Sequence, residues 1–170
     1  MSPILVRPAA RADAAAINEI LNPYIAQSTA TFLTEPRTLA QRLAWFDEHG
    51  GRHPVLVAVS DGAVVGFGAL SVFRPRAAYA ATAVISVYLR PEFHRRGIGR
   101  RLIGELQSRA RALGHHALIG ICCSETGASI ALLEACGFRR VGQLREVGRK
   151  FGRWLDIVIL QFLVDAPSVS

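Results

Sequence analysis

Apolar positions recur along this chain with two different periods, and the changes of period mark out its elements. Residues 83–89 alternate and are rich in β-branched side chains, which predicts a strand. Pro91 and Glu92 break that pattern; from Ile98 onward Leu102, Leu106, Ala110 and Leu113 recur at helical spacing, with Gly114 as the expected stop. Ahead of this central pair, 4–7 predict a short strand ended by Pro8. A helix with Ile17, Ile20, Leu21 and Tyr24 follows, with Asp13 as its expected N-cap and Pro23 kinking or ending it. Residues 28–36 show no clear period and predict an ordered loop or short strand. Thr38 and Gln41 have capping-box spacing, opening a second helix with Leu39, Leu43 and Phe46 inward, ended by Gly50-Gly51. Residues 54–60 and 63–70 predict apolar strands joined by Asp61-Gly62, a two-residue hairpin signal. Beyond Gly114, 117–123 predict a buried strand and 124–136 a helix closed by Gly137. Residues 139–144 and 154–163 predict two strands separated by a glycine-rich turn at 148–152. The order β-αα-ββ-β-α-β-α-β-β predicts a mixed α/β fold, a largely antiparallel sheet flanked by helices. Residues 1–165 are expected to form one domain, without repeats or linkers, and 166–170 a frayed tail.

Composition narrows the class. Of 170 residues, 51% are apolar and 19% charged, which suits a folded chain rather than a disordered one. The apolar runs, such as 157–160, are too short to cross a bilayer, and Arg7 and Arg11 interrupt any signal-peptide pattern. No membrane partner is expected, and a cytoplasmic location is. Cys122, Cys123 and Cys136 predict free thiols in a reducing compartment; their spacing matches no metal-ligand pattern, so no metal is expected. His49, His53, His115 and His116 read as surface residues.

The net charge of +7 changes the picture more. Much of it lies between Arg90 and Arg111, around the stretch His94-Arg95-Arg96-Gly97-Ile98-Gly99-Arg100 that joins the central strand to its helix. Gly97 and Gly99 lack a Cβ, so an anion can approach the backbone, and the helix N-terminus adds partial positive charge. Strand, basic glycine turn and helix together suit a phosphate or pyrophosphate. No Gly-Lys-Ser/Thr loop occurs, and Leu102 stands where a dinucleotide fingerprint needs its third glycine. The simpler alternative is a glycine-opened helix with solvated arginines. A basic stripe also suits nucleic acid, but no interleaved aromatics accompany it, so no nucleic-acid partner is expected.

The turn at 94–99 resembles the acyl-CoA turn of the GNAT acetyltransferases, [QR]-x-x-G-x-[GA], with His94 where Gln or Arg is usual. The element order also resembles the GNAT fold. Ser28-Thr29-Ala30-Thr31-Phe32-Leu33-Thr34-Glu35-Pro36, Thr82 with Ser86-Val87-Tyr88-Leu89, Gly137-Phe138 and Lys150-Phe151-Gly152-Arg153-Trp154-Leu155-Asp156 resemble the phosphinothricin N-acetyltransferase subfamily. That likeness runs from about residue 4 to residue 163. It implies direct transfer of acetyl from acetyl-CoA to the amine of a small amino-acid-like molecule, of the phosphinothricin or methionine sulfoximine type, by a homodimer. It implies cofactor contacts at Val87, Tyr88, Leu89, Arg95, Arg96, Gly97, Ile98, Gly99, Arg100 and Thr126. The acceptor pocket or dimer contact falls at Phe32, Arg74, Tyr79, Val84, Lys150 and Trp154, with plain packing an equal reading for Phe32 and Trp154.

The chain also departs from the subfamily pattern. Val84 stands where the subfamily's Glu serves as general base, Leu133 where relatives carry His or Tyr, Ala80 where Arg is usual and Thr126 where Asn contacts pantetheine. No catalytic side chain is therefore assigned, though Glu35 and Glu146 are candidates to replace the base. These departures predict a less polar amine acceptor, and the rival reading is a CoA-binding protein with little or no turnover.

Overall fold

The structure is a computed structural model that describes residues 3–164. Seven strands form one sheet in the order β1-β2-β3-β4-β5-β7-β6. β1 (Leu5–Pro8), β2 (Val55–Ser60), β3 (Ala63–Val72) and β4 (Thr82–Leu89) pair antiparallel, each with the next. Among the described residues β4 and β5 (Ala117–Cys123) form the single parallel pair, and β7 (Arg153–Leu163) lies antiparallel between β5 and the edge strand β6 (Arg139–Lys150). The mixed, largely antiparallel α/β architecture predicted from the pattern is the one observed.

Two apolar layers form because each strand sends alternate side chains to opposite faces. On one face α3 (Ile98–Ala112) and α4 (Gly127–Ala135) bury Ile98, Leu102, Leu106, Ile130 and Leu133 against Ala83, Ile85, Leu118 and Leu160. On the other, α1 (Ala14–Gln27) packs Ile17, Ile20, Leu21 and Ile25 on Val55, Val57, Phe67 and Ala69, with Trp45 and Phe46 of α2 (Leu39–Asp47) beside them.

Several local expectations need correction. Asp13 makes no N-cap bond to α1; its carboxylate accepts from the Ala10 amide at 2.7 Å and from the Arg7 guanidinium, so the chain enters through a 3-10 turn at Arg11–Asp13. Pro23 neither ends nor stops α1, which continues to Gln27. Pro23 and Glu19, whose carbonyl loses its helical partner, both lie on the exposed side, where water replaces the missing bond, and Ile20 and Ile25 anchor the helix on either side. The Thr38–Gln41 capping box forms as predicted, but Leu39 faces solvent and the buried residue of α2 is Arg42. The Asp61-Gly62 turn has both residues at positive φ, 49° and 78°, as a hairpin of this length demands. The last hairpin is longer than the glycine pattern suggested. β6 runs through Gly148 to Lys150, and only Phe151 and Gly152, at φ 52° and 72°, turn the chain. His115 is buried, its Nε2 2.6 Å from Arg52 O. His49 is half-buried between Trp45 O and Ser71 Oγ. The expected tail at 166–170 lies outside the described residues.

Candidate active site

The site begins where a strand pair comes apart. β4 and β5 pair from Thr82↔Ala117 to Ile85↔Gly120 and no further. On its other edge β4 stays paired with β3 as far as Leu89. The Arg90 amide donates to Val65 O at 2.8 Å, and amides two residues apart face the same edge. Tyr88 and Ser86 therefore bond to β3, while the amides of Val87 and Leu89 face the opening beside β5. Strand residues with unpaired main-chain donors at the sheet centre are rare unless something binds them.

The N-terminus of α3 closes the same opening. Gly97 sits at φ +77° as N-cap, a conformation that costs an L side chain about 1–2 kcal/mol. The Arg101 amide is the first to bond inside the helix, to Gly97 O, so the amides of Ile98, Gly99 and Arg100 point outward from the helix end. Gly99 is also close to α4: a Cβ there would lie 2.9 Å from Leu132 Cδ2.

These parts enclose a cavity of about 840 Å³. Val87, Tyr88, Leu89, Arg95, Gly97, Ile98, Gly99 and Arg100, all singled out in the sequence, line it. Arg96 and Thr126 do not. The Arg96 guanidinium lies over the Phe93 ring, 4.9 Å from its centroid, and the Thr126 hydroxyl donates to Cys123 O at 2.7 Å. Among the other lining residues, Tyr24 and Cys122 were missed as cavity residues, and His94, read only as a departure in the turn, joins them. Tyr24, read as part of the helical apolar set, donates its hydroxyl to Leu89 O at 2.6 Å. Its oxygen then accepts from His94 Nε2 at 2.8 Å, so this nitrogen carries the proton. Burial raises the Tyr24 phenol above its usual range, which keeps it a donor. Cys122 lines the floor, and burial pushes its thiol up to about 11, so it stays protonated. The alternation of β5 could have placed Cys122 on this face; nothing local in the sequence links Tyr24 to Leu89.

A second cavity, of about 400 Å³, lies on the opposite sheet face and shares Ala30, Tyr88 and Ile121 with the first. Thr29, Thr31, Phe32, Cys123, Leu144, Val147 and Ile157 complete it, and no charged side chain is among these walls. Of the residues expected in the acceptor pocket, only Phe32 lines it. Val84 is half-buried on the same sheet face, nearer the start of β4, since its alternation partners are Ser86 and Tyr88. Arg74 stacks on Phe73 and Tyr79 outside both cavities. Trp154 is exposed at the hairpin tip beneath the Arg149 guanidinium, so it is not core packing. Lys150 is buried and bonded to main-chain carbonyls. Glu35 and Glu146 are exposed and line neither cavity.

An open strand pair with inward-facing amides, next to a basic helix N-terminus, defines a site for an extended ligand that ends in a phosphate group. Comparison with known proteins agrees. Residues 16–138 match the model of the Acetyltransferase (GNAT) family. The chain is 39% identical to an L-methionine sulfoximine/L-methionine sulfone acetyltransferase of Pseudomonas paraeruginosa, over 94% of each chain. It is 33% identical to the phosphinothricin N-acetyltransferase of Streptomyces viridochromogenes, over 98% of this chain and 91% of the relative. A solved phosphinothricin acetyltransferase of Sinorhizobium meliloti in complex with acetyl-CoA superposes with a TM-score of 0.92 at 34% identity, covering 100% of this chain and 92% of that one. The chain belongs to the GNAT acetyltransferase family, and its fold is the GNAT fold.

Proposed function

We propose that this acetyltransferase uses acetyl-CoA and transfers the acetyl group to the amine of a small amino-acid-like acceptor. The observation that carries this reading is the β4–β5 opening with its two inward amides beside the α3 N-terminus. The residues present fit the cofactor. The amides of Ile98, Gly99 and Arg100, with the Arg95 and Arg100 guanidiniums, would hold the diphosphate. The Val87 and Leu89 amides would hold the pantetheine arm and the thioester carbonyl, where donors stabilise charge that develops on oxygen. Acetyl-CoA bound there supplies an activated thioester whose carbon the amine attacks directly, forming the N–C bond as the C–S bond breaks.

The chain's own residues contribute alignment above all. The two cavities meet at Ala30, Tyr88 and Ile121, so an amine in the smaller one faces the thioester position in the larger. Among the described residues no carboxylate or imidazole lines that junction, and the amine proton would leave to water. Relatives named for methionine sulfoximine, methionine sulfone and phosphinothricin support the amino-acid-like acceptor. The chain acts in the cytoplasm as a homodimer, joined through the uncovered apolar side of β5, β6 and β7.

Thiol release from acetyl-CoA in the presence of methionine sulfone, methionine sulfoximine, phosphinothricin and their apolar analogues tests this reading. Amine-dependent release with N-acetylated product is expected. Tight acetyl-CoA binding without release for any amine would leave a binding protein instead.

A further inference from the structure

Lys150 stands at the end of β6, lines neither cavity, and is buried, only 5% exposed. Its Nζ donates to Ser28 O at 2.6 Å and to Thr31 O at 2.8 Å, across 122 and 119 residues of chain. Among the described residues no carboxylate pairs with it. Burying a cation with no carboxylate partner is costly even with two carbonyls and the Phe151 ring, its centroid 5.0 Å from Nζ, beside it, and apolar side chains of similar size often serve stability as well or better. Its presence there points away from stability and toward the segment it holds.

That segment is irregular. Residues 28–33 belong to neither helix nor sheet, so their carbonyls need partners from elsewhere. It also forms the partition between the two cavities: Ala30 lines both, while Thr29, Thr31 and Phe32 line the smaller. β6 grips it twice. Besides the Lys150 ammonium, the Phe32 ring occupies the space beside Gly148, where a Cβ would come within 2.2 Å of Phe32 Cε2. From the other side the Tyr88 hydroxyl donates to Ala30 O at 3.3 Å. An ammonium suits this place because three tetrahedral donors on a slim apolar stem can serve two carbonyls at different angles. A guanidinium presents a wide planar fork, and methionine matches the stem but donates nothing.

We propose that Lys150 is a positioning residue for acetyl transfer: its ammonium fixes the loop at 28–33 where the two cavities meet, and so aims the acceptor amine at the thioester without touching either substrate. The proposal rests on the acetyl-transfer reading, and its test separates the two. In Lys150→Met, kcat/KM for the amine falls by about tenfold or more, as expected when a reacting group is misaligned. The acetyl-CoA dissociation constant stays within a few-fold, because α3 and β4 hold that ligand. Hydrogen exchange at amides 29–33 accelerates while exchange in α3 does not. Lys150→Arg keeps part of the alignment and shows a smaller loss; it gives the same readouts should Lys150→Met fail to fold. Leu56→Ala, fully buried on β2 in the same sheet and away from the loop and both cavities, lowers the melting temperature without raising the amine KM.

An unchanged amine kcat/KM in Lys150→Met would overturn the positioning role. So would unchanged exchange at 29–33, or equal loss of acetyl-CoA and amine binding. If the unmodified protein binds acetyl-CoA but acetylates no amine, acetyl transfer falls and the positioning role falls with it, whereas loss of the amine step alone in the variant leaves acetyl transfer standing.

Discussion

His49 shows how a main-chain carbonyl selects one tautomer and burial keeps the ring neutral. Its Nδ1 lies 2.7 Å from Trp45 O, which can only accept, so Nδ1 carries the hydrogen. Nε2, 2.9 Å from Ser71 Oγ, then accepts the hydroxyl proton, and the neutral ring satisfies both neighbours. Burial holds the His49 pKa below the usual 6.5, against the opposing pull of the Trp45 carbonyl and Glu48. His53 is lowered too, by burial and then by His115. A histidine depressed in the folded state contributes its full stability above the unfolded pKa. That contribution is lost as pH falls from about 6.5 through the folded value. The melting temperature should therefore drop between about pH 7.5 and pH 5. His49→Gln should flatten part of that drop, leaving the share of His53, as read by thermal melts across the pH range; an unchanged slope in the variant would refute this. Neither this pair nor the buried Arg42 was legible in sequence. A histidine near a loop and an arginine on a helix read as solvent-facing, because their partners lie on other elements. Arg42 is tolerated inside because its Nε donates to Asn18 Oδ1 at 3.3 Å and its guanidinium lies over Trp45; burial pulls its pKa down to about 10.

At the scale of elements, α3 shows a start signal with a physical requirement behind it. Gly97 occupies the left-handed region at its head, with no neighbouring atom within 4 Å of where a Cβ would stand. Space is thus no obstacle to Gly97→Ala, and backbone strain is the whole effect. About 1–2 kcal/mol is expected, or a fall in melting temperature of roughly 2–4 °C per kcal/mol for a chain of this size. Acetyl-CoA should also bind more weakly, because the amides of residues 98–100 relax with the turn; calorimetry on the variant measures it, and wild-type affinity would argue against the amide cradle. The β6–β7 hairpin teaches the opposite lesson. Gly148 looked like part of a turn because glycine is uncommon inside strands. It belongs to the strand, and is small because the Phe32 ring from a distant loop rests on it. The long α1 likewise passes Pro23 because the exposed side of a helix can give a carbonyl to water and the buried side holds the rest in place.

Across the whole molecule, the two sheet faces are covered unequally. α3 and α4 cover one face, while α1 and α2 pack on the β2–β4 side of the other. Ile121, Leu144, Val147 and Leu163, on β5, β6 and β7, are left 41–50% exposed on that second face. Ile121, Leu144 and Val147 also wall the smaller cavity, so the proposed association on this face would close over its mouth, and arginines along the edge strand β6 discourage open-ended strand pairing. The homodimer proposed above predicts that Leu144→Asp with Val147→Asp yields monomers in sedimentation velocity while leaving the fold intact by circular dichroism; a monomeric parent protein would contradict that proposal. The sequence by itself determined the order of strands and α-helices, the starts of α2 and α3, the Asp61-Gly62 hairpin and the basic glycine turn. These depend on residues a few positions apart, where periodicity, positive φ and capping act locally. Only the tertiary structure decided where β4 and β5 part, that Tyr24 reaches Leu89, and that Lys150 serves a loop more than a hundred residues away. Those contacts are set by the register of strands distant in the chain, and a lysine reads the same in sequence whether its ammonium meets water, a substrate or two buried carbonyls.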